Sequence, residues 1–101
     1  MKYLKYFENK KDLKKYIILK DSLDMFYIFK VLNYMNNADM YILRRLYQYF
    51  SNVNKTEKII HVDYKTLNIR QIKNNLLYES DNLQDCIDKL PTLKNINKYN
   101  L

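Results

Sequence analysis

From about Lys10 to Leu19 the apolar residues Leu13, Tyr16 and Ile17 share one helical face and Lys10, Lys11, Lys14 and Lys15 share the opposite one. That spacing predicts an amphipathic helix, opened by Asn9 and Asp12 as a capping pair. The next stretch begins near Asp21 or Ser22 and carries Leu23, Met25, Phe26, Tyr27, Ile28, Phe29, Val31, Leu32, Tyr34 and Met35. Apolar over most of a helical circumference, it predicts a central helix ended by Asn36 and Asn37, which tolerate the left-handed backbone of a helix C-terminus. Asp39 then caps a third helix. Met40, Leu43, Leu46, Tyr47 and Phe50 form its apolar stripe, while Tyr41, Arg44, Arg45, Gln48 and Ser51 face away.

After Thr56 the period changes. Lys58 to Tyr64, KIIHVDY, alternates around Ile60, Val62 and Tyr64 and predicts one strand. Asn68 with Gln71 is a capping pair before Ile69, Ile72, Leu76 and Leu77, and Asp81 with Gln84 is another before Leu83, Cys86, Ile87 and Leu90. Pro91 predicts the stop of that last strong helix, leaving Leu93, Ile96 and Tyr99 in a tail too short to hold a helix by itself. The expected fold is mainly α: a single domain over residues 1–101 of about five helices, with one short strand near residues 58–64.

Composition removes more than it adds. The 101 residues include no Gly, which excludes a P-loop, a Rossmann fingerprint and a nucleophile elbow, and with them most enzyme signatures. Apolar types make up 48% of the chain and charged types 29%, a balance that folds. Eighteen Lys and Arg against eleven Asp and Glu give +7, a bias toward anionic partners. The abundance of Lys, Asn, Ile and Tyr fits an AT-rich coding sequence, as in a virus, a mobile element or an AT-rich microbe. Glu has AT-rich codons too and occurs only three times, so coding bias does not supply all of the basicity. The excess sits in residues 1–20 and 55–78, on either side of a neutral, apolar middle.

Cys86 is the only cysteine, which rules out an internal disulfide and suits a reducing compartment. The opening MKYLKYFENKK lacks the apolar run of a signal peptide, and Met25 to Phe29 is too short to span a bilayer. Cytoplasm or nucleus, without membrane attachment, is the expectation. His61 has no nucleophile pattern around it, and Cys86 lies on an apolar helical face as a core residue rather than a thiolate. Asp81, Asp85 and Asp88 read as a solvated acidic face rather than a cation site. No catalytic set, metal site, cofactor or small-molecule substrate is evident.

What remains is binding. The stretch FYIFKVLNYMNNADMYILRRLYQYF, Phe26 to Phe50, resembles the helical hairpin in the second half of BTB-type adaptor domains, and the resemblance implies protein docking. The β-rich first half of such a domain is missing here. The sequence thus points to a non-enzymatic macromolecular interaction protein that docks a helical, apolar and basic face on a larger protein or on a second copy of itself. The alternative is a nucleic-acid-binding protein of helix-turn-helix or winged-helix type, using the basic faces of residues 10–20 and 41–48. Either way the expected contact set is Lys10, Lys11, Lys14, Lys15, Tyr41, Arg44, Arg45 and Gln48.

Overall fold

Met25–Met35, apolar except at Lys30 and Asn33, is the middle strand of an antiparallel β-sheet in the computed structural model of the chain. The structure describes residues 13–21, 25–50 and 52–99, with side chains as far as Leu93. Along the described residues run β1 (Tyr16–Lys20), β2 (Met25–Met35), β3 (Met40–Phe50), β4 (Lys55–Lys58), β5 (Tyr64–Asn68), α1 (Ile69–Asn75), β6 (Leu76–Ser80) and α2 (Leu83–Tyr99). The strand order is β4-β3-β2-β1-β6, and β5 pairs with β3 on the same edge as β4.

The mainly α fold of about five helices expected from the periodicity is therefore overturned: the segments read as the first three helices form β1, β2 and β3. The resemblance to a helical hairpin falls with them, because residues 26–50 form a β-hairpin. The physical reason lies in two-sided burial. A strand covered on both faces reads as a continuous apolar run, which periodicity alone does not separate from a buried helix. Phe26 and Ile28 enter one core and Phe29 another, on opposite faces of β2. In β3 a bulge breaks the alternation: Phe29 pairs with Arg45 and Ile28 with Tyr47, leaving Leu46 as the extra residue. Tyr41 and Leu43 thus face one way and Tyr47 and Tyr49 the other, and the sequence imitates a helical stripe.

The remaining expectations divide. Lys58 to Tyr64 is not a strand: only its ends belong to β4 and β5, and the middle leaves the ladder. The Asn68–Gln71 capping box is present, with Gln71 N 2.8 Å from Asn68 Oδ1 and Asn68 N 3.0 Å from Gln71 Oε1. That helix ends at Asn75, however, since Leu76 turns extended to pair with β1. Asn82, not Asp81, caps α2 by accepting from Gln84 N at 2.9 Å. Pro91 sits inside α2 and does not stop it. Leu90 and Leu93 on either side of it pack against the sheet and hold the helix through a residue that lacks an N–H.

The two helices cover opposite faces. Cys86, Leu90 and Leu93 of α2 close a core with Ile18, Phe26, Ile28 and Tyr49. On the other face Ile72 of α1 closes a core with Ile17, Leu19, Phe29, Tyr41 and Leu43.

Without glycine, two turns use Asx residues with positive φ: Asp39 at 54° and Asn54 at 52°. Each is held by a tyrosine five residues earlier. Tyr34 donates to Asp39 Oδ1 at 2.5 Å, and Tyr49 donates to Asn54 Oδ1. Tyr49→Phe is expected to lower stability by about 1 kcal/mol, and Asn54→Ala, which loses the bond and the tolerance for positive φ, by about 2 kcal/mol. Thermal unfolding of both variants checks this; equal losses would mean that the left-handed backbone contributes nothing.

Candidate functional site

The outer edge of β3 is paired along nearly its whole length, with one interruption. Ile59 N donates to Leu46 O at 2.8 Å and Arg45 N donates to Asp63 O at 2.9 Å. Adjacent residues of β3 therefore receive the two ends of a loop, and Ile60, His61 and Val62 are extruded between them. Ile60 is 91% exposed, Val62 56% and Tyr64 60%. Exposed β-branched side chains at such a tip have no packing reason in the folded monomer. On the strands that bracket the loop, Lys58 and Lys65 are exposed and have no carboxylate partner among the described residues. The carboxylates of this edge are engaged: Glu57 accepts from Gln48 Nε2 at 3.1 Å and meets Lys55 at 3.4 Å, and Asp63 meets Arg45.

Asp63 links the foot of the loop to a cleft of about 300 Å³ on the α1 face. Arg45 projects into it because its partner in register is Phe29, whose side chain belongs to that face. The guanidinium lies 4.6 Å over the Tyr27 ring and 5.9 Å from the Phe29 ring. Its Nε is 3.1 Å from Asp63 Oδ2, a charge pairing without the directional geometry of a hydrogen bond. Below it, Tyr27 donates to Asp21 Oδ2 at 3.1 Å, and Asp21 Oδ1 accepts from Met25 N at 3.3 Å. Burial pushes the Tyr27 hydroxyl above its usual range; the Asp21 hydrogen bond and charge add to the rise, and Arg45 opposes it. Lys20, Lys65, Gln71 and Asn75 complete the polar lining.

The expected contact residues do not form one face. Tyr41 is buried at 3% exposure, its ring 4.8 Å from that of Tyr34. Arg45 and Gln48 lie on the α1 face, while Arg44, paired with Lys30 and Tyr64, projects to the α2 face. Consecutive residues of a strand cannot share a side, so a set grouped by helical spacing is split. Lys14 and Lys15 precede β1 at the other end of the sheet, their N–H groups donating to Glu79 Oε1 and Asp81 Oδ1, both at 3.0 Å. Lys10 and Lys11 lie outside the described residues.

The acidic face of α2 does not converge either. Asp85 accepts from Tyr78 at 2.6 Å, Asp88 from Gln84 at 2.9 Å and Asp81 from Lys15 N. The hydrogen bond from Tyr78 is the main reason that the Asp85 carboxyl is held below its usual range. Cys86 is fully buried, and burial pushes its thiol up to about 11. Sequence reasoning missed Lys65, Asp63 and the extrusion, because KIIHVDY alternates like a strand and only the pairing on β3 reveals that it leaves the sheet.

The chain matches no protein family, no curated protein and no solved structure. Among the described residues, no helix is long and apolar enough to cross a membrane.

Proposed function

We propose that this protein is a non-enzymatic interaction protein that docks on a protein partner through the β4–β5 edge, with Ile60 and Val62 as the apolar contact and Lys58 and Lys65 as its charged flanks. The observation that carries the reading is the extrusion itself, which leaves β3 paired at Arg45 and Leu46 and presents aliphatic side chains to water between them. Burying one such side chain is worth about 1.5–3 kcal/mol, the scale of an interface hot spot. The cations select a partner surface that is apolar at its centre and acidic at its rim. A buried thiol with a raised pKa is unsuited to nucleophilic work, and the lone histidine sits on the exposed loop, which favours binding over catalysis. A reducing compartment, cytoplasm or nucleus, belongs to the same proposal.

Photo-crosslinking from position 60 in cells, followed by reconstitution with the captured protein, tests it. Ile60→Asp with Val62→Asp is expected to weaken that complex by about 30-fold or more, leaving the unfolding midpoint within a few degrees of the parent. Lys58→Glu with Lys65→Glu is expected to weaken it less, and mostly at low salt. Light scattering separates a second copy of this chain from another protein. Tight nucleic-acid binding that falls steeply with salt and ignores the Ile60 and Val62 changes would overturn the reading.

A further inference from the structure

We propose that the cleft beneath α1 is a binding site for a small organic anion, which gives a carboxylate or phosphate to Arg45 and Lys65 and an apolar body to Tyr27. Its volume of about 300 Å³ accommodates a single small molecule. Within the cleft, Arg45 is the anchor. Its Nε edge is spent on Asp63, whereas its two Nη groups have no protein partner among the described residues. The Tyr27 ring 4.6 Å away and the charge of Asp63 restrain the guanidinium before any ligand arrives.

Lys65 reinforces that side. It pairs in register with Leu43, whose side chain lies on the α1 face, so alternation places Lys65 there too, one strand away from Arg45. No carboxylate among the described residues neutralises it. Asp21, the carboxylate that lines the cleft, already accepts from Tyr27 and Met25. Of the other cations here, Arg45 is paired with Asp63, so the charge left for a ligand is that of Lys65 together with the open edge of the guanidinium. An uncharged ligand would leave the guanidinium edge desolvated without a partner, while a cation would meet repulsion from Arg45 and Lys65. Neither Ile60 nor Val62 lines the cleft, so although Lys65 is shared with the docking edge, substitutions at Ile60 and Val62 separate the two sites.

The test is an NMR titration of the isotope-labelled full chain with benzoate and with phenyl phosphate, using acetate and inorganic phosphate as headgroups alone and benzyl alcohol as the uncharged ring. Benzoate or phenyl phosphate is expected to give saturable shifts at the amides of Lys20, Tyr27, Phe29, Arg45 and Lys65 with a Kd of about 1 mM or tighter. The stronger of the two identifies the headgroup. The headgroups alone should bind more weakly at the same amides, and benzyl alcohol should not saturate. Lys65→Gln, at an exposed position, is expected to keep the dispersed spectrum and weaken binding about fivefold. Arg45→Lys, which keeps the charge and loses the fork, should weaken it further, and Ile60→Asp with Val62→Asp should leave it unchanged. Shifts that do not saturate, that spread over exposed lysines, that benzyl alcohol reproduces or that Lys65→Gln leaves intact would overturn the proposal.

Discussion

Tyr41→Ala is expected to lower the unfolding free energy by about 3–5 kcal/mol, the cost of emptying a large aromatic site that does not collapse. Tyr41 is 3% exposed and packs among Leu43, Phe29 and Ile72 on the α1 face, with its ring against Tyr34. The same substitution on the outer face of a helix, where its spacing from Arg44, Arg45 and Gln48 would put it, would change stability by less than about 0.5 kcal/mol. The two architectures therefore differ by a margin that denaturation resolves. In a chain of this size the expected loss corresponds to a drop of more than about 12 °C in Tm. Lys65→Gln, on the neighbouring strand and exposed, is the matched control and should leave Tm nearly unchanged. A Tyr41→Ala protein as stable as its parent would refute the position of β3 in the sheet.

Cys86 provides the second large effect. It is buried beneath α2 against Ile18, Phe26, Ile28 and Tyr49, and its thiol is pushed up to about 11 by burial and, less, by the charge of Asp85. At pH 8 an aromatic disulfide reagent should label the native protein slower than the urea-unfolded chain by on the order of a thousandfold or more, because the thiol must first open to solvent. Labelling at the unfolded rate would mean that α2 does not seal this core.

The sign of the pH effect follows. The folded thiol has a higher pKa than the unfolded one, so its contribution is fully present below about pH 9 and is lost as pH rises through about 11. Tyr49, raised by burial, and Tyr27 act in the same direction. Base-induced unfolding above pH 9 is therefore expected, and Cys86→Ala, though less stable at neutral pH, should lose less stability over the pH 9–11 interval than the parent.

Local chemistry was legible where it is chemistry of neighbours. Asn68 and Gln71 close their capping box within four residues of chain, and Cys86 with Leu90 marks the buried side of α2 at helical spacing. The core assignment of Cys86 survived because it needs only one helix and one apolar surface. The contact set did not survive as a group, since Arg44 and Arg45 share a side in a helix and oppose each other in a strand. The charge partner of Arg45 in the cleft is Asp63, which reaches it only because a loop is pushed out of the edge strand between Ile59 and Asp63.

The sequence alone determined how much apolar surface this chain must bury, the basicity it carries, the absence of glycine chemistry and the two helix starts fixed by short-range hydrogen bonds. Only the tertiary structure decided whether the apolar run from Met25 to Met35 would be a rod or a ribbon. The choice is made by strands on either side of it and by helices on both faces, contacts between residues far apart in the chain that no local period encodes. The bulges at Leu32 and Leu46 then set which side chains meet, so the cleft and its cations follow from register rather than from spacing.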